Sequence, residues 1–290
     1  MSVDRYAVFG HPIKHSKSPR IHTLFAERTG QKLIYTAEEV PPEQFQNAVA
    51  EFFAQGGKGL NCTVPLKELA WKLGTREKPE AFPFKVEHSR RAEISRAVNT
   101  LKLLDDDLIL GDNTDGCGLV TDLTVNHGID LAEKRILILG AGGATRGILY
   151  PLFEQKPRSI VIANRTVDKA NGLAEEFQPF GSITGCGFAD LAGKQFDLIL
   201  NATSASLTGQ LPPLPEGLLA KDGVCYDLAY GNEPTPFVLW GREQRAAKSL
   251  DGLGMLVEQA AEAFFIWRDV RPDTQPVIDL LNSERSCAQG

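Results

Sequence analysis

The chain has 290 residues, 42% of them hydrophobic and 23% charged, which is typical of a globular protein with one large or two medium domains. A formal net charge of −6 argues against a nucleic-acid-binding protein, so any anionic ligand must be held by a local basic site. The apolar runs are too short to span a bilayer and the first ten residues lack a signal-peptide pattern, which predicts a cytoplasmic protein with no membrane partner.

In the first half, short β-type runs alternate with helical patterns, which predicts an α/β fold with largely parallel sheets. Strands are predicted over residues 6–9, 33–37 and 59–64, followed by a hairpin of 97–103 and 108–110. A helix is expected to begin at Ser18, which can cap it, because Pro19 suits the first helical position and Gly30 can end it. The buried face of a second helix is predicted from four apolar side chains, Phe45, Val49, Phe52 and Phe53.

The second half opens with a fully apolar strand, Arg135 to Leu139, as expected at the centre of a sheet. Further strand and helix patterns follow at 159–163, 166–177, 196–201 and 224–228. This series predicts a Rossmann-type, doubly wound dinucleotide-binding domain. We therefore expect a substrate-binding domain over 1–114 and a nucleotide-binding domain over 115–251, with C-terminal helices in 252–290 packing back on the first domain.

A Gly-rich turn, Gly140-Ala141-Gly142-Gly143-Ala144, connects that apolar strand to a helix. Glycines let the backbone approach a pyrophosphate, and a helix N-terminus offers free N–H groups to it. Thr145 stands where the usual motif has its third glycine, so the match depends on its strand-and-helix context. In that context the turn predicts a bound dinucleotide.

The end of the next strand indicates which dinucleotide binds. NAD enzymes commonly carry an acidic residue there, which accepts hydrogen bonds from the ribose hydroxyls. This chain has Asn164-Arg165-Thr166, with Lys169 one turn later. A guanidinium can hold a 2′-phosphate in a forked geometry, and a cation at a helix start otherwise opposes the helix dipole. The sequence therefore favours NADP.

Eight short motifs occur in order along nearly the whole chain. They are Ser16-Lys17-Ser18-Pro19, Asn61-Cys62-Thr63-Val64-Pro65-Leu66-Lys67, Ala97-Val98-Asn99-Thr100, Gly111-Asp112-Asn113-Thr114-Asp115-Gly116, the Gly-rich turn, Asn164-Arg165-Thr166, Asn201-Ala202-Thr203-Ser204 and Asp251-Gly252-Leu253-Gly254-Met255. In this combination the chain closely resembles the shikimate dehydrogenase family. The resemblance implies NADP-dependent reduction of 3-dehydroshikimate to shikimate, in chorismate and aromatic amino-acid biosynthesis.

The resemblance also implies roles for matching residues. Lys67 and Asp115 would be the catalytic pair. The substrate would be bound by Ser16, Ser18, Thr63, Asn99, Asp115, Tyr230 and Gln259. The cofactor would be bound by Gly140, Ala141, Gly142, Gly143, Ala144, Asn164, Arg165, Thr166, Lys169, Leu228 and Gly252, the last two of them near the nicotinamide.

These residue types suit the chemistry. Hydride delivery to a ketone builds negative charge on its oxygen, which a partly buried Lys67 can stabilise and protonate while Asp115 holds the lysine in place. Hydroxyl and amide side chains can bind a polyhydroxylated ring. Each residue also has a structural interpretation. Ser18 can serve as a cap, Asp115 as a turn residue and Lys67 as a solvated first-turn residue, while His11, His15 and His22 are expected to be surface or packing residues.

The segment from Glu68 to Arg96 departs from the family. It is roughly ten residues longer than usual, Arg90 replaces a common acidic residue, and Arg96 stands where the family often has glycine. Lys78-Pro79 and Phe82-Pro83 in the insert predict an irregular surface loop that bulges outward and leaves Asn99 in place.

Two other functions are compatible with the same scaffold. One is a dehydrogenase with broader specificity that also accepts quinate, and the other is a non-catalytic NADP-binding regulatory protein. The second would be expected to lose the Lys67–Asp115 pair, which is present. The five widely spaced cysteines predict no metal site, and a monomer or a homodimer is expected.

Overall fold

A computed structural model of the chain describes residues 3–77, 82–206 and 209–287. Its contacts divide it into two compact units, and each of its two sheets lies within one unit. The first unit runs to Gly118 and includes Val257–Val277, and the second comprises Leu119–Leu256 and the chain from Ile278. The predicted α/β class, with a dinucleotide-binding half of Rossmann type, is confirmed.

The first unit is built on a mixed sheet. Its strands and helices are β1 (Asp4–Gly10), α1 (Ser18–Thr29), β2 (Leu33–Glu39), α2 (Phe45–Ala54), β3 (Gly57–Cys62), α3 (Lys67–Lys72), β4 (Lys85–His88), α4 (Arg90–Ser95), β5 (Thr100–Asp105) and β6 (Leu108–Asp112). The sheet order is β2-β1-β3-β5-β6-β4. Strands β1, β2 and β3 are parallel, whereas β5 pairs antiparallel with both β3 and β6, so the predicted hairpin is confirmed.

The insert contributes to the core of the first unit. The four predicted apolar side chains of α2 are buried, and Phe82 and Phe84 join their cluster with 2% and 7% of their surface exposed. Strand β4 pairs in parallel with β6 and adds a strand to the sheet. The surface loop expected around Gly74 to Lys85 is therefore wrong in its placement at Phe82 and Phe84, because these side chains are buried against α2, although residues 82–84 form no helix or strand. Residues 78–81, including Lys78-Pro79, lie outside the described residues.

In the first unit, one cap differs from the expectation and one departure from the family receives a structural explanation. Ser18 is the first residue of α1 rather than its cap, and the Ser16 hydroxyl accepts from the Ser18 amide at 3.3 Å. Arg96 ends α4 in the left-handed conformation with φ 49°, a region where glycine is least strained, and its side chain is exposed.

The second unit contains a fully parallel sheet. The elements from α5 onward are α5 (Asp115–Thr121), β7 (Arg135–Leu139), α6 (Gly143–Glu154), β8 (Ser159–Ala163), α7 (Val167–Phe177), β9 (Ile183–Cys186), β10 (Phe196–Asn201), β11 (Leu219–Asp227), α8 (Pro236–Glu243), β12 (Lys248–Leu250), α9 (Leu253–Arg268) and α10 (Gln275–Cys287). The division between the units falls within α5, α9 and α10. The sheet order β9-β8-β7-β10-β11-β12 reverses between β7 and β10, where α/β proteins bind dinucleotides.

The end of the chain differs from the expected arrangement. Most of α10 belongs to the second unit, whereas all of 252–290 was expected on the first. Nη1 of Arg285 donates to the Gly231 carbonyl at 3.0 Å and to the Asp251 carboxylate. These polar partners explain why the helix groups with the second unit. Among the described residues, no helix is both long and apolar enough to cross a membrane.

Candidate functional site

Lys67 is fixed by the connection between β3 and α3. The Thr63 amide donates to the Phe9 carbonyl at 2.9 Å, and the Leu66 amide donates to the Thr63 carbonyl at 2.8 Å, which closes a tight turn after β3. Lys67 is then the first residue of α3, and its carbonyl accepts from the Val98 amide at 2.9 Å. Hydrogen bonds to two neighbouring segments thus set the position of the lysine backbone.

The Lys67 side chain forms an ion pair with Asp115. The Nζ–Oδ2 distance is 2.5 Å, and the two side chains are 26% and 10% exposed. Asp115 begins α5, and its amide donates to Oδ1 of Asn113 at 3.1 Å. The ammonium group is therefore held by a largely buried carboxylate while keeping some access to solvent or a ligand.

Asn99 binds the other oxygen of the same carboxylate. Its Nδ2 donates to Oδ1 of Asp115 at 2.8 Å, and its Oδ1 accepts from the Thr114 amide at 2.9 Å. Oε1 of Gln259, on α9, lies 3.4 Å from the same Nδ2. The structure thus brings together four of the predicted site residues, Lys67, Asn99, Asp115 and Gln259.

A buried hydrogen-bonded chain leads from Tyr35 to this carboxylate. Tyr35 donates to Oδ1 of Asn61 at 2.7 Å, and Asn61 donates to Oγ1 of Thr100 at 3.0 Å. Thr100 in turn donates to Oδ1 of Asn99 at 2.8 Å. Each hydrogen bond in this series is donated in the direction of Asp115. Each of these side chains therefore has one orientation that satisfies its donors and acceptors. No local pattern in the sequence indicates a role for Tyr35 or Thr100, because Asn61, which hydrogen-bonds to both, is 26 and 39 residues away from them.

The two predicted serines lie together at the start of α1. Ser18 is buried and hydrogen-bonds to Tyr35. Burial raises the pKa of Tyr35 well above its ordinary value, and the Ser18 hydrogen bond opposes this rise only in part, so the phenol stays protonated. Thr63 is half-buried in the turn that leads to Lys67. Hydroxyl groups are thus placed on the two loops that follow β1 and β3.

The Gly-rich turn in the second unit follows β7 directly. Gly140 has φ 101°, and a Cβ there would lie 3.1 Å from the Ala202 carbonyl oxygen, so both backbone conformation and close approach favour glycine. The Ala141 amide donates to Oδ1 of Asn164 at 3.3 Å. Thr145, in place of the third glycine, is buried and donates to the Gly140 carbonyl at 2.7 Å, which closes the turn with a side-chain hydrogen bond.

The next part of the turn leaves room for a ligand. A Cβ at Gly142 or Gly143 would meet no atom of the described chain within 4 Å. Gly142 caps α6, which begins at Gly143, so the free amides of its first turn surround this space. Backbone amides, a helix N-terminus and absent side chains are what a pyrophosphate requires, so the predicted cofactor fits the residues present.

The basic residues expected to select the cofactor follow β8. Asn164 donates to the Thr166 carbonyl at 2.9 Å, which shapes the turn into α7. Arg165, Thr166 and Lys169 are all exposed. Two cations are therefore available at the sheet edge that also carries the Gly-rich turn.

The remaining predicted residues of the second unit follow β11 and precede α9. A Cβ at Gly252 would lie 2.2 Å from the Leu228 carbonyl oxygen, so these two positions are in contact and only glycine fits. Tyr230 is half-buried, and burial, followed by the charge of Asp251, raises the pKa of its phenol. Tyr230 stands two residues after Leu228 in the sequence, and its phenol is neutral.

Comparisons with known proteins identify a family. Residues 8–101 match the shikimate dehydrogenase substrate binding domain, 123–208 the shikimate / quinate 5-dehydrogenase domain and 252–281 the shikimate 5′-dehydrogenase C-terminal domain. The chain is 61% identical to a shikimate dehydrogenase (NADP(+)) of Methylococcus capsulatus, with 99% of each chain covered.

Two solved structures are similar over nearly their whole length. The Ael1 enzyme of Pseudomonas putida is 46% identical with a TM-score of 0.85, covering 96% of this chain and 98% of its own. A Thermus thermophilus shikimate 5-dehydrogenase, solved with NADP(H) and shikimate, is 31% identical with a TM-score of 0.81 and covers 96% and 98%.

Proposed function

This chain belongs to the shikimate dehydrogenase family, and we propose that Lys67, held by Asp115 and Asn99, performs the proton chemistry of the family reaction. The enzyme is an NADP-dependent oxidoreductase that reduces 3-dehydroshikimate to shikimate. The observation that carries the assignment of the lysine is the 2.5 Å ion pair between Lys67 and Asp115, whose other oxygen is bound by Asn99.

The second unit would hold the cofactor. The amides around Gly142 and Gly143 suit the pyrophosphate, and Arg165 and Lys169 suit the 2′-phosphate. When bound, NADPH supplies the hydride for reduction. Leu228 and Gly252, which are in contact with each other, would lie near the nicotinamide, as the family resemblance implies.

Lys67 would stabilise the negative charge that develops on the carbonyl oxygen of the substrate. Reduction at the carbonyl carbon would shift the π electrons of the carbonyl to its oxygen, which would then carry negative charge. The Lys67 ammonium stabilises that oxygen and transfers a proton to it, which yields the hydroxyl of shikimate. Asp115 keeps the ammonium in position, and in the reverse direction the neutral amine accepts the hydroxyl proton.

The other polar side chains of the first unit would bind and orient the ring. Ser16 and Ser18 would donate to the substrate carboxylate, Thr63, Asn99 and Asp115 would bind ring hydroxyls, and Gln259 would complete the pocket. Tyr230 is also assigned to substrate binding through its phenol, whose pKa is raised by burial and by the charge of Asp251. Polar groups that a bound substrate shields from water disfavour analogues that leave them without partners, so the position of the hydroxyls on the ring is selected.

The experiment that tests this function follows reduced cofactor by absorbance with shikimate or quinate and with NADP⁺ or NAD⁺. We expect rapid turnover with shikimate and NADP⁺. Comparable turnover of quinate would indicate a broader dehydrogenase. NADP⁺ binding without turnover of either substrate would contradict the assignment and favour a regulatory protein. We further propose that the enzyme works in the cytoplasm as a monomer or homodimer.

A further inference from the structure

Arg91, on α4, connects two elements that carry site residues. Its Nε and Nη2 donate to Oδ1 and Oδ2 of Asp112 at 3.1 and 2.6 Å, a forked ion pair. Its Nη1 donates to Oε1 of Glu262 at 3.0 Å. The guanidinium is 22% exposed, and it also lies against the thiol of Cys117. All of these residues belong to the first unit.

The hydrogen bonds of Asp112 connect Arg91 to the segment that carries the catalytic carboxylate of Asp115. Asp112 ends β6, and its Oδ1 accepts from the Asn113 amide at 2.7 Å. Oδ1 of Asn113 then accepts from the Asp115 amide at 3.1 Å. The orientation of the Asp112 side chain therefore sets the turn from which Asp115 projects toward Lys67.

The ion pair with Glu262 connects Arg91 to Gln259, whose side-chain amide is predicted to bind substrate. Glu262 and Gln259 are three residues apart on α9, so their side chains lie on the same side of the helix. Oε1 of Gln259 lies 3.4 Å from Nδ2 of Asn99. A cation that fixes Glu262 relative to Asp112 also fixes Gln259 relative to Asp115.

We propose that Arg91 is a positioning residue for the reaction, which keeps Asp115 and Gln259 in their working relative position. The inference deepens the proposed function and depends on it. The fork geometry matters because one planar guanidinium serves two carboxylates on different elements, which an ammonium group cannot do in the same way. Burial lowers the pKa of Arg91, but hydrogen bonds and charge from Asp112, with charge from Glu262, outweigh it, so the cation is permanent.

If Arg91 had only a structural role, it would stabilise the fold without affecting catalysis. The chain offers a control that separates a structural role from a positioning role. Arg271 also donates a hydrogen bond to Glu262, whose Oε2 accepts it. Arg271 is half exposed and has no described contact with Asp112. Arg271→Gln removes a cation from the same glutamate while leaving Arg91 as the connection between α9 and β6. We expect Arg271→Gln to keep wild-type turnover.

The test measures kcat and KM for shikimate, KM for NADP⁺ and thermal unfolding in Arg91→Gln, Arg91→Lys, Glu262→Gln and Arg271→Gln. We expect Arg91→Gln to lower kcat/KM for shikimate about 10- to 100-fold, since small displacements of catalytic groups have effects of this size. KM for NADP⁺ should stay within about twofold. Glu262→Gln should mainly raise KM for shikimate, and Arg91→Lys should restore activity only in part.

A double-variant cycle with Asp115→Asn makes the test specific. If Arg91 acts through Asp115, adding Arg91→Gln to Asp115→Asn should lower kcat less than about twofold further. Additive effects on kcat, or unchanged kcat/KM in a folded Arg91→Gln protein, would overturn the inference. If Arg91→Gln does not fold, unchanged shikimate kinetics in Arg91→Lys and Glu262→Gln would overturn it. Inactivity of the wild type and of Arg271→Gln would instead count against the proposed function.

Discussion

The side-chain amide of Asn99 donates to Oδ1 of Asp115 at 2.8 Å, the oxygen that faces away from Lys67. This hydrogen bond restricts rotation of the Asp115 carboxylate. The ammonium group of Lys67 is therefore held in one position relative to Asp115. Asn99 is itself fixed, because its Oδ1 accepts from Thr100 and from the Thr114 amide. A buried carboxylate with both oxygens bound is a rigid support for a lysine that must meet one substrate oxygen.

Replacing Asn99 with alanine should impair both folding and catalysis. The change leaves Oδ1 of Asp115 and the Thr114 amide without their side-chain partner, which should lower the free energy of unfolding by about 1–3 kcal/mol. Loss of the fixed carboxylate should lower kcat/KM for shikimate about 10- to 100-fold. Urea denaturation and steady-state kinetics measure the two effects, with Gln55→Ala as a control for an exposed amide. Unchanged kinetics in folded Asn99→Ala would contradict the geometry proposed here.

Replacing Gly142 with alanine should weaken NADP⁺ binding without harming the fold. The new methyl group meets no described atom within 4 Å, so the thermal midpoint should be unchanged. It would occupy the space proposed for the pyrophosphate, and we expect Kd for NADP⁺, measured by calorimetry, to rise about 10-fold or more. Gly172→Ala is the matched control, because its methyl group is equally free of contacts but lies on α7. Equal affinities for the two variants would place the pyrophosphate elsewhere.

Replacing Arg165 with glutamine should reduce the preference for NADP over NAD. The variant loses charge-assisted hydrogen bonds to the 2′-phosphate, each contributing roughly 1.5–3 kcal/mol, so KM for NADP⁺ should rise about 10- to 100-fold. NAD⁺ has no 2′-phosphate, and its KM should change less than about twofold, which provides an internal control. A parallel rise for both cofactors would show that Arg165 supports the turn rather than reading the phosphate.

His22 should make stability depend on acid pH. It is buried, its ring stacks on Tyr35 with centroids 4.2 Å apart, and burial lowers its pKa from 6.5 to about 3. The unfolded chain therefore binds a proton at a pH where the folded chain does not. This contribution is fully present above pH 6.5 and is lost as the pH falls below it, by about 2 kcal/mol between pH 7 and pH 5.

Denaturant unfolding at several pH values measures this loss. His22→Gln should show a decrease in the free energy of unfolding between pH 7 and pH 5 that is about 2 kcal/mol smaller than in the wild type. His15→Gln, at an exposed histidine, should retain the wild-type dependence. A wild-type pH dependence in His22→Gln would show that the histidine is not the group responsible.

Much of the architecture could be predicted because the sequence patterns are local. The apolar run 135–139, the Gly-rich turn and the Arg165 segment each specify a strand, a loop or a helix start from adjacent residues. The parallel sheet around β7 and the α2 core follow from such patterns and are confirmed. The meeting of Lys67, Asn99, Asp115 and Gln259 was expected only from the family resemblance, since nothing in their spacing reveals it.

What could not be predicted depends on partners distant in sequence. Phe82 and Phe84 are flanked by proline and suggest a loop, yet burial against α2 makes them part of the core. Arg91 is separated by 21 residues from Asp112 and by 171 from Glu262, so no local sequence pattern predicts its ion pairs. The same reason applies to α10, whose Arg285 finds Asp251 in the second unit.

Proton transfer by Lys67 is tested by comparing the kinetics of Lys67→Ala with those of Lys72→Ala, a change at the other end of α3. We expect Lys67→Ala to lower kcat about 100- to 10,000-fold while the protein stays folded and binds NADP⁺ normally. Lys72→Ala should keep wild-type kcat, because its ammonium pairs with the exposed Glu77. Retention of kcat within about tenfold by folded Lys67→Ala would contradict the assignment of Lys67 as the proton-transferring group.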